Sequence, residues 1–152
     1  MARAKPQLSL KGRALRYLSQ REHSRAELER KLAKHAEQPE EVARVLDELQ
    51  ARGFIDHQRV ADSVVHRKAG KLGALRLKQE LQSLGIEPAL VAAALATVKA
   101  TEWERARDVW RRRFDEPAKD AGDRARQARF LLARGFPGDI VSKVVSGGGE
   151  DL

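Results

Sequence analysis

Four histidines, His23, His35, His57 and His66, are the side chains of this sequence that could exchange a proton near neutral pH or hold a metal ion. Their spacing serves neither purpose. The chain has no H-x-x-x-H pair and no E-x-x-H run, the arrangements that set two ligands on one helix face. His23 stands just before Ser24 and His57 just after Asp56, so both read as residues at helix starts near the surface. Cysteine is absent, which removes thiolate ligands, disulfides and a cysteine nucleophile. No serine lies in a G-x-S-x-G elbow, and the Gly70-Lys71 pair lacks the remainder of a phosphate-cradling loop. The G-x-x-G of Gly70 to Gly73 would suit a backbone clamp only in a fold with strands, so it reads as a hinge between two helices. Glu40, Arg44, Asp47 and Glu48 are spaced as a solvated, salt-bridged helix face. No enzyme, cofactor or metal site is expected.

The bases offer more. Lysine and arginine number 30 against 22 acids, a formal charge of +8 and an isoelectric point near 10.2. Residues 1–35 carry ten bases and three acids, residues 36–65 three and seven, and residues 66–99 six and two. Two basic stretches around an acidic one describe a footprint for a polyanion or an acidic partner. Arg67, Lys68, Lys71, Arg76 and Lys78 gather around the 70–73 turn, and Arg105, Arg107, Arg111, Arg112 and Arg113 line a later helix, at 101–114; such residues could neutralise phosphates. Trp103, Trp110 and Phe114 lie among these arginines, but their spacing on one helix favours a core role over base stacking. The competing reading is an alkaline surface without a dedicated partner.

These side chains must be carried by helices. Apolar residues recur at helical spacing along nearly the whole chain, and no segment alternates with period two. Helices are expected at 10–20, 24–36, 39–52, 56–69, 74–84, 88–98, 101–114, 121–134 and 138–146. Ser24 with Glu27 and Thr101 with Glu104 suggest capping boxes, and Pro39, Pro88 and Pro137 suit first helical positions. Gly53, Gly85 and Gly135 suit the left-handed residue past a helix end. The longest apolar run, Ala89 to Ala96, is far short of a membrane span, and the first residues lack the apolar stretch of a secretion signal, so a soluble cytoplasmic protein without membrane contact is expected. Hydrophobic residues at 41% and charged residues at 34% exclude a compositionally disordered chain.

Two patterns recur. An alanine stands three residues before a bulky apolar pair in Ala14-Tyr17-Leu18, Ala61-Val64-Val65 and Ala106-Val109-Trp110, and a base follows each pair: Arg21, Lys68 and Arg113. Leu81-Gly85-Ile86-Leu90-Val91-Ala94-Leu95 matches Leu131-Gly135-Phe136-Ile140-Val141-Val144-Val145, and Leu32, Val42, Val45 and Leu46 fit the same frame. The expected fold is therefore all-α: three tandem three-helix repeats forming an elongated, curved helical body. The repeats are placed at 10–55, 56–100 and 101–146, between a flexible N-terminal segment at 1–9 and a flexible tail at 147–152.

Arg21-Glu22-His23-Ser24-Arg25-Ala26-Glu27-Leu28-Glu29-Arg30-Lys31-Leu32 is similar to the first-repeat signature R-x-H-S-x-x-E-L-x-x-K-L of the RecX family. Gly53-Phe54-Ile55-Asp56 with Arg59-Val60-Ala61 resembles that family's junction after the first repeat, and Gly73 to Ile86 with Glu80-Leu81 its second-repeat pattern; Val60 replaces a common Phe and Leu84 a common Lys. The resemblance covers about residues 10–136. It implies a bacterial cytoplasmic protein that binds the filament of the RecA recombinase on DNA and limits filament growth, strand exchange, ATP hydrolysis and coprotease function in the SOS response.

Candidate contacts to the recombinase filament or, weakly and nonspecifically, to DNA are Arg21, Arg25, Lys31, Arg67, Lys68, Lys71, Arg76, Lys78, Arg105, Arg111, Arg112 and Arg113. A monomer is expected. The competing functions are a helix-turn-helix transcription regulator reading duplex DNA through the junction of helices 10–20 and 24–36, and a protein-only scaffold.

Overall fold

A computed structural model describes residues 7–147 as nine α-helices joined by short turns, with no strand among the described residues. They are α1 (Leu10–Gln20), α2 (Arg25–Ala33), α3 (Pro39–Ala51), α4 (His57–Lys68), α5 (Ala74–Ser83), α6 (Pro88–Lys99), α7 (Glu102–Arg113), α8 (Ala121–Ala133) and α9 (Gly138–Ser146). None exceeds 13 residues. Helices this short are marginal alone in water, so tertiary burial of their apolar faces must hold them. The alanine pattern shows how: Ala14, Ala61 and Ala106 are each fully buried. A methyl group at that place lets a neighbouring helix come close.

The chain packs as two units, Met1–Val60 with Leu84–Ile86, and Ala61–Ser83 with Glu87–Leu152. In the first, α1, α2 and α3 close over Ala14, Leu28, Leu32, Val42, Leu46, Leu49 and Ile55. Ser9 caps α1 by accepting from the Gly12 N–H. Ser24 and Glu27 form a reciprocal capping box on α2, and Asp56 Oδ1 accepts from the Arg59 N–H at the start of α4. Pro39 opens α3, where its missing N–H costs nothing.

In the second unit, α7, α8 and α9 enclose Trp110, Phe114, Leu131, Phe136 and five valine and alanine neighbours. Trp110 Nε1 donates to Gln127 Oε1 at 2.9 Å, so two polar groups in this core satisfy one another. On α5 and α6, Leu77, Leu81, Val91, Ala94 and Val98 are buried. Gly73, just before α5, meets the turn between α8 and α9: its N–H donates to the Arg134 carbonyl at 2.8 Å and the Leu75 N–H to the Gly135 carbonyl at 3.0 Å. A Cβ on Gly73 would lie 2.4 Å from the Gly135 oxygen and the Phe136 nitrogen, so only glycine permits this approach.

Gly53, Gly85 and Gly135 have positive φ, as expected. Several other expectations need correction. α2 ends at Ala33 instead of 36, because Gln38 precedes proline and is extended, and the chain must leave the helix beforehand. Thr101 forms no capping box. A single residue, Ala100, separates it from α6, so its backbone stays near helical and its hydroxyl turns back to donate to the Val98 carbonyl. Pro137 is the residue before α9, with Gly138 at the first helical position. The Gly70–Gly73 stretch is a docked turn, not an open hinge. The 115–120 connection, a second stretch expected from the sequence to be able to hinge, is tied to α8: the Glu116 carbonyl accepts from the Gln127 amide and the Lys119 N–H donates to Asp123. Most of the segments expected to be flexible, 1–9 and 147–152, lies outside the described residues; Ser9 and Gly147 cap α1 and α9.

Candidate functional site

Half of the candidate bases are committed to the protein itself. Arg21 donates to both carboxylate oxygens of Glu27 (2.7 and 3.3 Å) and to the Glu22 carbonyl, which fastens the end of α1 to the cap of α2. Arg25 links α2 to α3 by reaching Asp47 at 2.7 Å and Gln50 at 2.9 Å. The Lys31 ammonium lies 4.6 Å from the Tyr17 ring centre and donates to His23 Nε2. Lys68 pairs with Glu80 at 2.7 Å. Arg76 donates to the Ala133 carbonyl. Arg105 is the most deeply engaged: its guanidinium donates to the carbonyls of Ala69, Leu72 and Val98, and its side chain is 12% exposed. Burial lowers its pKa from the ordinary arginine value, partly opposed by Glu102, and at neutral pH it stays charged.

His23 is buried, not on the surface. Nδ1–H donates to the Arg21 carbonyl at 3.0 Å, which leaves Nε2 as the acceptor for Lys31 at 3.1 Å. An ammonium can only donate, so the imidazole here is neutral. Burial pushes its pKa down, with Arg21 and Lys31 adding to the effect against the Arg21 carbonyl and Glu27. For Glu27, burial would raise the carboxyl, but Arg21 and the Ser24 N–H outweigh it and hold it below the usual range.

The remaining candidates, Arg67, Lys71, Lys78, Arg111, Arg112 and Arg113, are exposed. Three of them converge in the second unit. Lys71 on the α4–α5 turn, Arg112 and Arg113 at the end of α7, and Arg134 just past α8 line a groove of about 340 Å³ with Val109 and Phe130. Arg112 reaches back to the Gly70 carbonyl at 2.7 Å, which sets α7 beside the turn. The guanidinium carbons of Arg134 and Arg113 lie 5.0 and 5.7 Å from the Phe130 ring centre. Phe130 meets Phe114 edge-on, and the Arg126 guanidinium carbon lies 5.1 Å from the Phe114 ring centre. Cations stacked on rings keep their N–H edges outward, a geometry suited to phosphate or carboxylate oxygens. Among the described residues no cluster of three His, Asp or Glu could hold a metal ion, and no helix is long and apolar enough to cross a membrane.

Three family models, described as the first, second and third three-helix domains of RecX, match residues 11–49, 56–95 and 100–145. The chain is 56% identical over 145 residues to a protein named Regulatory protein RecX from Leptothrix cholodnii, covering 95% of this chain and 92% of that one. The chain belongs to the RecX family. A second relative of the same name, from Ralstonia nicotianae, is 48% identical over 147 residues, covering 97% and 92%. The fold agrees with the crystal structure of RecX from Lactobacillus salivarius, with a TM-score of 0.74 at 22% identity over 91% of this chain and 93% of that one. A second crystal structure, of regulatory protein RecX, gives 0.76 at 22% identity over 91% and 71%.

Within this RecX frame the three bases at matching sequence places do different work. Arg21 closes a helix cap, Lys68 pairs with Glu80, and Arg113 rests on aromatic rings at the groove. Sequence reasoning missed Arg134 and Phe130. A signal was present, since Arg126, Phe130 and Arg134 recur every four residues and so share one face of α8 and its end.

Proposed function

We propose that this RecX-family protein regulates the RecA recombinase by binding its filament on DNA. In this reading it limits filament growth and, through it, strand exchange, ATP hydrolysis and coprotease activity. It acts by binding and performs no catalysis of its own. Membership of a family whose relatives carry the name regulatory protein is the observation that carries the reading. The exposed bases Arg67, Lys71, Lys78, Arg112 and Arg113 support it, because a cationic surface of this kind complements phosphate or an acidic protein face. Arg21, Arg25, Lys31, Lys68, Arg76 and Arg105 leave the proposed contact set because their charged ends serve internal partners; Arg112 also donates to one carbonyl, that of Gly70, but keeps an exposed side chain.

The test is titration of the protein into pre-formed RecA filaments on single-stranded DNA while ATP hydrolysis is followed. Suppression at stoichiometric amounts is expected, and no effect at excess would refute the reading. Replacing Arg67, Lys71 and Lys78 by Ala should weaken the effect. Sequence-specific duplex binding that resists about 200 mM salt would instead support a transcription regulator.

A further inference from the structure

The cations of the groove at Phe130 face no carboxylate within the groove itself. Its six lining residues include four bases and no carboxylate. Among the described residues, the only polar partner of the Arg112 side chain is the Gly70 carbonyl, and Arg113 and Arg134 meet only aromatic rings. Lys71 bonds through its backbone alone. Arg25, Lys68 and Arg126, by contrast, each hold a carboxylate. Four like charges held around a space of about 340 Å³ repel one another, and that repulsion is relieved when an anion enters.

We propose that this groove is a seat for the backbone of single-stranded nucleic acid, so that the protein contacts the strand itself and not only the protein subunits of a filament. The inference rests on the reading given under Proposed function and names the component of the filament that this site engages. Two features favour a nucleic acid strand over an acidic peptide. The four cations come from three separate segments, the α4–α5 turn, the end of α7 and the residue after α8, so they line a path and do not form one point-like fork. The floor between them is Val109 and the half-buried ring of Phe130, an apolar strip beside the charges. A strand offers one charge per nucleotide with an apolar base attached and can use both. The guanidinium groups of Arg113 and Arg134 are already oriented by the ring, so little side-chain freedom is lost on binding.

The experiment uses the full chain without recombinase and a fluorescein-labelled oligothymidylate of about 20 nucleotides, with anisotropy followed from 50 to 200 mM salt. The wild type should bind at the low end, with a salt slope of about −0.7 for each cation engaged. R113Q/R134Q removes two, so the slope should become shallower by about 1.4 and affinity at 50 mM should drop about 60-fold. K71Q/R113Q, altered at two exposed side chains, should behave alike and keeps the test valid should the first variant fold poorly by circular dichroism. F130L retains every charge and should weaken binding with the slope unchanged. Poly-glutamate at equal charge should fail to displace the strand. Absence of binding at 50 mM, an unchanged slope in both double variants, or displacement by poly-glutamate would overturn the proposal. The wild-type effect on RecA ATP hydrolysis separates the two readings: suppression without strand binding refutes the groove alone, and strand binding without suppression refutes the regulatory role alone.

Discussion

Replacing Gly73 by alanine should cost far more than the size of a methyl group suggests. The added Cβ would sit 2.4 Å from the Gly135 oxygen and the Phe136 nitrogen, both backbone atoms that cannot swing aside. Restoring ordinary contact requires moving the chain by roughly 1 Å. That motion stretches two hydrogen bonds, from the Gly73 N–H to Arg134 (2.8 Å) and from the Leu75 N–H to Gly135 (3.0 Å), beyond useful length. Overpacking costs about 1–3 kcal/mol and each lost bond about 1 kcal/mol, so G73A should be destabilised by about 3–5 kcal/mol. Two other glycines calibrate the number. Gly53 has φ +80° but open space around its Cβ direction, so G53A should cost only about 1 kcal/mol for the left-handed backbone. Gly70 has neither a positive φ nor a neighbour within 4 Å, so G70A should be neutral or gain up to about 1 kcal/mol by restricting the unfolded chain. Urea unfolding followed by circular dichroism measures all three. A G73A within 0.5 kcal/mol of wild type would refute the docked-turn argument, as would G70A costing as much as G73A.

Further outcomes follow from buried polar groups. His23 is held neutral with its pKa below the ordinary value of about 6.5, so the unfolded chain takes up the proton first. Stability should therefore be full above that pH and fall on acidification below it, and H23Q should lose this part of the slope in urea titrations at several pH values. Glu27 is likewise depressed, so its ion pair stabilises above the normal carboxylate range and is lost as pH falls through its lowered value; E27Q should cost about 1 kcal/mol at pH 7 and match wild type in strong acid. Q127L strands the Trp110 N–H in the core and should cost about 1–3 kcal/mol, with W110F/Q127L recovering part of it in thermal melts. R105A should lower the melting temperature because three carbonyls lose their donor, while R67A, on an exposed side chain, should leave it within error.

The helices were legible because their signals are local: the serine cap at Ser24, prolines at Pro39 and Pro88, glycines at Gly53 and Gly135. Thr101 misled because its spacing to Glu104 fits a capping box, yet the nearness of α6 decides its backbone, and that is a property of two helices together. The site was less legible for the same reason. Arg105 and Arg112 look alike in sequence, seven residues apart on one helix, but one is enclosed by the carbonyls of Ala69, Leu72 and Val98, while the other bonds to the Gly70 carbonyl alone and lines an open groove. Which base is enclosed and which stays exposed depends on carbonyls more than thirty positions earlier, and nothing in charge spacing encodes that. His23 reads as a helix-start residue and is one; its burial follows from Tyr17 and Lys31 closing over the ring.

The contact of Gly73 with Gly135 has a consequence for how the chain is made. The residues that receive the start of α5 leave the ribosome about sixty positions later. At 5–20 residues per second the interval is about 3–12 s, during which the N–H groups of Gly73 and Leu75 have only water to bond. The second three-helix domain thus emerges with an open end, and synthesis of the third closes it. The nascent chain should be most vulnerable to proteases at residues 70–75 during that interval, and a ribosome-stalled fragment ending near residue 115 should be cut there while the completed protein resists.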